Sequence, residues 1–211
     1  MTDMDTAALP LPTFDDVLSA AARIAPYARV TPVQHSRTLN ALAGCELHFK
    51  CEHLQRTGAF KFRGACNAVW SLPDALAARG VVTHSSGNHG AALALAARTR
   101  GIGCHVVVPD GAVASKLAAI IAYGATLHQC QASIQAREER CAAVQRDTGA
   151  VLVHPYTDTQ VIAGQATAAM ELFNACGELD ALIVPVGGGG LAAGSVLAAA
   201  SLAARCQVFV A

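Results

Sequence analysis

The chain has 211 residues, 53% of them hydrophobic, and its 15 acidic side chains balance 15 basic ones, so the formal net charge is zero with neutral histidines. That balance gives no footing for nucleic acid or an anionic membrane as a partner, and the length suffices for a sizeable core in one large or two small domains. The longest apolar run, Leu191 to Ala204, is broken by Gly194, Ser195 and Ser201. It falls short of the ~18–20 residues that cross a bilayer and reads as a buried helix. Met1 to Pro12 carries Asp3 and Asp5 and no basic block ahead of an apolar one, which is not a secretory signal; a cytoplasmic protein is expected. The eight cysteines are scattered through apolar segments with no Cys-x-x-Cys pair, as buried reduced thiols would be.

In chain order, Thr13-Phe14-Asp15-Asp16 has the form of a capping box, and Val17, Leu18, Ala21 and Ile24 recur at helical spacing until Pro26. After Thr31-Pro32 and a short polar link, Glu46 to Glu52 alternates as a strand would. Leu47, Phe49 and Cys51 lie on one face and Glu46, His48, Lys50 and Glu52 on the other. That alternation turns His48 away from Cys51 and argues against a metal site at Cys45, His48, Cys51 and His53. A helix over Ala65 to Leu72 is ended by Pro73. Strands are then predicted at 81–84, 104–108, 125–130, 151–153, 181–186 and 206–210, separated by helices at 90–100, 115–123, 134–147, 163–176 and 191–204. Alternating strands and helices imply an α/β fold with parallel sheets covered on both faces and ligands at the carboxyl ends of the strands. The sequence stops at Ala211 directly after an apolar strand, which predicts an incomplete chain, since such a strand needs cover.

Three segments carry chemistry. In Thr57-Gly58-Ala59-Phe60-Lys61-Phe62-Arg63-Gly64-Ala65 a single lysine sits between glycines beside an aromatic ring. Lysine becomes a nucleophile, typically toward a carbonyl, when its surroundings depress its pKa. In Thr83-His84-Ser85-Ser86-Gly87-Asn88-His89-Gly90 a strand passes into a helix through small polar residues, where backbone amides can hold a carboxylate or phosphate. In Pro185-Val186-Gly187-Gly188-Gly189-Gly190-Leu191 four glycines between a strand and a helix can wrap a phosphate. The last lacks Gly-Lys-Ser/Thr and is no nucleoside triphosphate loop. It does fit the loose Gly-x-Gly-x-x-Gly/Ala form, which leaves a dinucleotide site open.

Taken together, Thr31-Pro32, KCEHLQRTGAFKFRGA, THSSGNHG, SKLAAIIAYGA, HPYTD with IAGQAT, and VPVGGGGLAAG resemble the fold-type II pyridoxal-phosphate enzymes, in the serine/threonine dehydratase and serine racemase branch. The resemblance implies a two-domain fold like that of tryptophan synthase β. Residues 1–75 and 148–211 would belong to a large domain whose C-terminal part is missing, and 76–147 to a small one. It implies that Lys61 carries pyridoxal 5'-phosphate as a Schiff base and moves protons, that Phe60 packs on the cofactor ring, and that Asn88 bonds its phenolic oxygen. Gly187, Gly188, Gly189, Gly190 and Leu191 would hold the phosphate. Ser85, Ser86, Gly87, Asn88 and His89 would receive the carboxylate of a small amino-acid substrate. The implied activity is deamination of L-threonine or L-serine to a 2-keto acid. Ser86 resembles the racemase acid/base opposite the lysine, so serine racemase is the alternative, and a non-catalytic fragment that at most binds the cofactor is another. No metal ligands are expected within the sequence, and a homo-oligomer is expected of the full-length protein. Ala59 replaces the family's commoner serine, and Ala166 the second glycine of its Ala-Gly-Gln-Gly-Thr run.

Overall fold

The computed structural model describes residues 11–211; the N-terminal stretch discussed above lies, as far as residue 10, outside the described residues. Helix α1, Phe14–Ile24, starts on the expected capping box: Asp16 N donates to Thr13 Oγ1 at 3.3 Å and Thr13 N donates to Asp16 Oδ2 at 2.7 Å. It buries Val17, Ala20 and Ile24.

The next segment departs from the sequence reading. Strand β1, Val33–Gln34, pairs antiparallel with β2, Phe49–Lys50, and helix α2, Arg37–Ala43, lies between them on a Ser36 N-cap and a left-handed Gly44. The strand expected over 46–52 is therefore cut to two residues, and Glu52–Leu54 turns into a 3-10 helix. The cause is polar. Glu52 is drawn inward to a buried arginine described below and Lys50 to the glutamate that shares it, so these two charged side chains face the interior.

From Lys61 onward the alternation holds. Helix α3, Lys61–Ser71, and the short α4, Asp74–Ala77, lead into β3, Val81–His84. Then come α5, Asn88–Arg100, β4, Cys104–Pro109, α6, Ala114–Ala122, β5, Thr126–Cys130, α7, Ile134–Thr148, and β6, Val151–Leu152. Helix α8, Thr159–Cys176, β7, Ala181–Val184, α9, Gly190–Leu202, and β8, Gln207–Val210, complete the chain. One sheet runs β5-β4-β3-β6, all parallel, and β7 pairs parallel with β8. The fold is thus α/β, with parallel sheets covered by helices. Val106, Val107 and Val108 are all fully buried, and they alternate between two cores. Val106 and Val108 pack with Phe62, Leu93 and Ile120, whereas Val107 packs with Val82, Cys141 and Val144. A central parallel strand covered on both sides has this continuous apolar character.

Helix α8 starts four residues earlier than its apolar pattern suggested, because Asp158 Oδ1 accepts from Gln160 N at 2.8 Å and Val161 N at 3.1 Å. It crosses α3 with the backbones in contact. A Cβ on Gly164 would lie 2.6 Å from Gly64 Cα, and one on Gly64 would lie 2.6 Å from Val161 O. This close crossing sets the first turn of α3, and so Lys61, against the start of α8.

Candidate functional site

Lys61 is the first residue of α3 rather than a loop residue, and its Nζ donates to the Pro155 carbonyl at 3.0 Å. Burial pushes its pKa below the ordinary lysine value. Charging a desolvated amine is costly, so at a given pH more of it is the free nucleophile than at a solvated lysine. A water-soluble acylating reagent is therefore expected to modify Lys61 with a rate that rises with pH and levels off below the about pH 10.4 typical of free lysine side chains. Peptide mapping of the modified chain checks this; levelling above that pH would contradict the burial effect.

The lysine opens into a cavity of about 440 Å³ lined by His84, Ser85, Ser86, Asn88, Arg137 and Tyr156. The Ser85–Gly87 turn joins β3 to α5. Helix α5 begins without a side-chain cap, leaving its first amides available to an anion. Gly90 has to be glycine for this approach, since its Cβ would lie on the Ser85 carbonyl. His89 contributes differently from the other turn residues. Its imidazole is 2% exposed, and its pKa is pushed down to about 3, first by burial and then by the charge of Lys61, which outweigh a backbone bond to Val153. A side chain that stays neutral and enclosed leaves the backbone N–H as what His89 offers at the turn.

The glycine segment lies on the far side of Tyr156. Gly189 takes φ +87 and caps α9, which has no side-chain cap either, so the helix start presents free amides. A Cβ on Gly188 would overlap the Tyr156 ring, whereas those of Gly187 and Gly189 would meet nothing within 4 Å. The backbone is thus bare on one side and covered by an aromatic ring on the other. That arrangement and the uncapped helix fit a phosphate group. Phe60 and Leu191 face a second cavity, of about 330 Å³, which also includes Pro185 and Ser195. The structure therefore brings Lys61 and Ser85 to His89 together, links them to the glycines through Tyr156, and sets Phe60 and Leu191 on a neighbouring cavity. Lys61 Nζ, on the first cavity, is 5.3 Å from the ring centroid of Phe60, on the second.

Behind the lysine lies a charged cluster that the sequence reading did not identify. Arg63 is fully buried and forks onto two carboxylates. Its Nε and Nη2 donate to Glu52 at 2.8 Å each, and its Nη1 and Nη2 donate to Glu171 at 2.7 and 2.8 Å. Lys50 Nζ donates to Glu171 at 2.5 Å and to the Thr31 carbonyl at 2.6 Å. Burial opposes ionisation of Glu171, but the bonds from Arg63 and Lys50 outweigh it and hold its carboxyl below the usual range. Arg137, Tyr156 and the Pro155 carbonyl were likewise missed. Arg137 was one of several charges on α7, and a backbone acceptor has no sequence signal. Among the described residues no group of three or more His, Cys, Asp or Glu side chains converges as a metal site.

The family model for pyridoxal-phosphate dependent enzymes matches residues 24–211. The serine racemase of Dictyostelium discoideum is 50% identical over 199 residues, covering 94% of this chain and 61% of that protein. The beta-hydroxyaspartate dehydratase of Paracoccus denitrificans is 49% identical over 201 residues, covering 95% and 64%. The structure of maize serine racemase superposes with a TM-score of 0.94 at 46% identity, covering 96% of this chain and 61% of that one. The chain thus spans a little over three fifths of the length of these relatives.

Proposed function

We propose that this chain, which belongs to the family of pyridoxal-phosphate dependent enzymes, carries the reacting lysine and substrate turn of an ammonia-lyase acting on L-serine or L-threonine. The observation that carries the reading is that Lys61 and the Ser85–His89 turn line one cavity, with a bare glycine backbone next to it. When bound, pyridoxal phosphate supplies an electron sink that makes the substrate's Cα–H acidic. The chain's residues would do the rest. The amides that open α9 hold the phosphate, and those that open α5 hold the substrate carboxylate. Lys61 Nζ takes the α-proton on one side of the substrate. Departure of the β-hydroxyl completes loss of water, and hydrolysis then releases ammonia and leaves the 2-keto acid. Ser86, on the same cavity, is the candidate acid/base for the opposite side, where returning a proton would invert the centre; this supports racemisation as the alternative.

A second observation bears on the substrate. Arg137 from α7 lines the same cavity, and a guanidinium there suits a second carboxylate, as in a 3-hydroxyaspartate. The names of two relatives, beta-hydroxyaspartate dehydratase and the L-threo-3-hydroxyaspartate ammonia-lyase of Saccharomyces cerevisiae, accord with this. The test incubates the purified protein and pyridoxal phosphate with L-serine, L-threonine or L-threo-3-hydroxyaspartate, following keto acid, ammonia and D-enantiomer together. Keto acid and ammonia from any of the three support the lyase, and D-serine without keto acid supports the racemase. Neither product, with the cofactor still attached, supports a chain that binds cofactor only. Arg137→Ala is expected to reduce turnover of the hydroxyaspartate at least tenfold more than that of serine; equal effects on both would remove Arg137 from substrate recognition.

The expected division into a small domain over 76–147 between two parts of a large one belongs to the same proposal. It is supported by β3, β4 and β5 sharing one sheet, although β6, Val151–Leu152, from the residues assigned to the large domain, joins that sheet at its edge beside β3. No described helix is long and apolar enough to cross a membrane, and assembly as a homo-oligomer is proposed for the whole protein.

A further inference from the structure

The turn of α3 that bears Lys61 is held from outside the helix. Its N-cap residue, Phe60, makes no side-chain cap. Phe62 N and Arg63 N reach back only three residues, to Ala59 O at 3.4 Å and Phe60 O at 3.0 Å. The next amide, Gly64 N, makes its hydrogen bond to Gln165 Oε1 at 3.1 Å rather than a well-formed one to the Phe60 carbonyl. Gln165 comes from α8 and is fully buried, and its Nε2 has no partner among the described residues. Burying an amide with its donor unmet is costly, so packing alone would favour an apolar side chain of the same size here. The side chain reaches the α3 backbone only because Gly64 and Gly164 let the two helices touch. The residues just ahead of α8 also supply the Pro155 carbonyl that accepts from Lys61 Nζ. One element therefore grips both the base and the tip of the lysine.

We propose that Gln165 is a positioning residue for Lys61: its carbonyl replaces the missing backbone acceptor of the first turn of α3 and fixes the direction in which the lysine projects. The inference rests on the reading of Lys61 as the residue that attaches the cofactor. Loss of the acceptor leaves that turn free to rotate, which lowers the fraction of lysine aimed into the cavity without opening the core.

The chain provides its own controls, because Lys50, Lys61 and Lys116 are its three lysines. Lys50 is enclosed in the charged cluster and Lys116 is exposed. The experiment attaches pyridoxal phosphate to the protein, fixes it with borohydride, and quantifies each lysine by peptide mass spectrometry. Gln165→Met, which keeps volume but removes the acceptor, is expected to lower the rate of attachment at Lys61 at least tenfold, with Lys50 protected as in the unaltered protein. Gln165→Glu, which keeps an acceptor oxygen, is expected to restore it. Unchanged attachment in Gln165→Met, or no restoration by Gln165→Glu, overturns the proposal. Simultaneous exposure of Lys50 also overturns it, because that is the signature of lost packing. Absence of attachment at Lys61 in the unaltered protein would instead overturn the functional reading, and this inference with it, before any substitution is made.

Discussion

Lys61→Ala is expected to abolish borohydride-stable attachment of pyridoxal phosphate and every product-forming activity, while leaving the fold in place. The expectation follows from position. Lys61 opens helix α3, its Nζ donates to the Pro155 carbonyl and to no other group among the described residues, and it is not a member of the buried charged cluster. Removing a partly buried ammonium also removes its desolvation cost. A lowered folded-state pKa means that the unfolded chain binds the extra proton more readily, so the lysine weakens folding increasingly as pH falls through that range. The variant should accordingly be no less stable than the parent near neutral pH, and Lys61→Arg should behave like Lys61→Ala in attachment, because a guanidinium does not form the linkage. Mass spectrometry after borohydride treatment gives the first result and thermal unfolding the second. Cofactor fixed at full yield in Lys61→Ala would place the reactive amine on Lys50 or Lys116 and end the assignment.

The second large effect is on stability. Arg63→Met is expected to cost about 3–5 kcal/mol, the scale for removing one partner of a buried ion cluster, since Glu171 would keep only Lys50 and Glu52 only the Thr31 hydroxyl. Arg63→Lys should fall between the variant and the parent, because an ammonium cannot fork onto two carboxylates at once. The cluster also has a pH signature. Glu171 is held below its ordinary pKa, so its contribution is present above the unfolded-state value of about 4.3 and is lost as pH falls toward the folded one. In Arg63→Met this acid-sensitive part should largely disappear. Urea unfolding of parent and variant at pH 7 and pH 4 measures both. A loss under about 1 kcal/mol at pH 7 would mean that water takes over the guanidinium's role.

The cluster also shows where reading the sequence reached its limit. Lys50 and Glu52 alternate with Phe49 and Cys51, and the alternation holds as a strand only over Phe49–Lys50, with Cys51 buried beside the charged residues. What it leaves open is which face is interior. Here the polar side turns inward, because an arginine eleven positions later in the chain and a glutamate from α8 are brought to meet it. In the same way Arg137 looked like one charge on a solvated helix until α7 packed over the sheet and placed it on the cavity. Tyr156 could be seen only as part of a resembling motif; its packing on Gly188 is a property of the fold.

The local code carried more. The capping box at Thr13 and the apolar strand read over 104–108 each act over a few residues, and each forms as read. The lysine, the serine-rich turn and the glycine segment were likewise legible, because an uncapped helix start preceded by small residues is a local arrangement of amides. By itself, then, the sequence determined the alternating parallel architecture, the family, and the three segments proposed to bear the chemistry. Only the tertiary structure decided that Lys61 rests on Pro155, that Gln165 and Arg63 hold the turn behind it, and that Arg137 shares its cavity. Those contacts join residues some 70 to 110 positions apart, and no short-range pattern encodes them: the Gly64–Gly164 crossing brings α8 and the residues before it onto α3, and the packing of α7 brings Arg137 to the cavity.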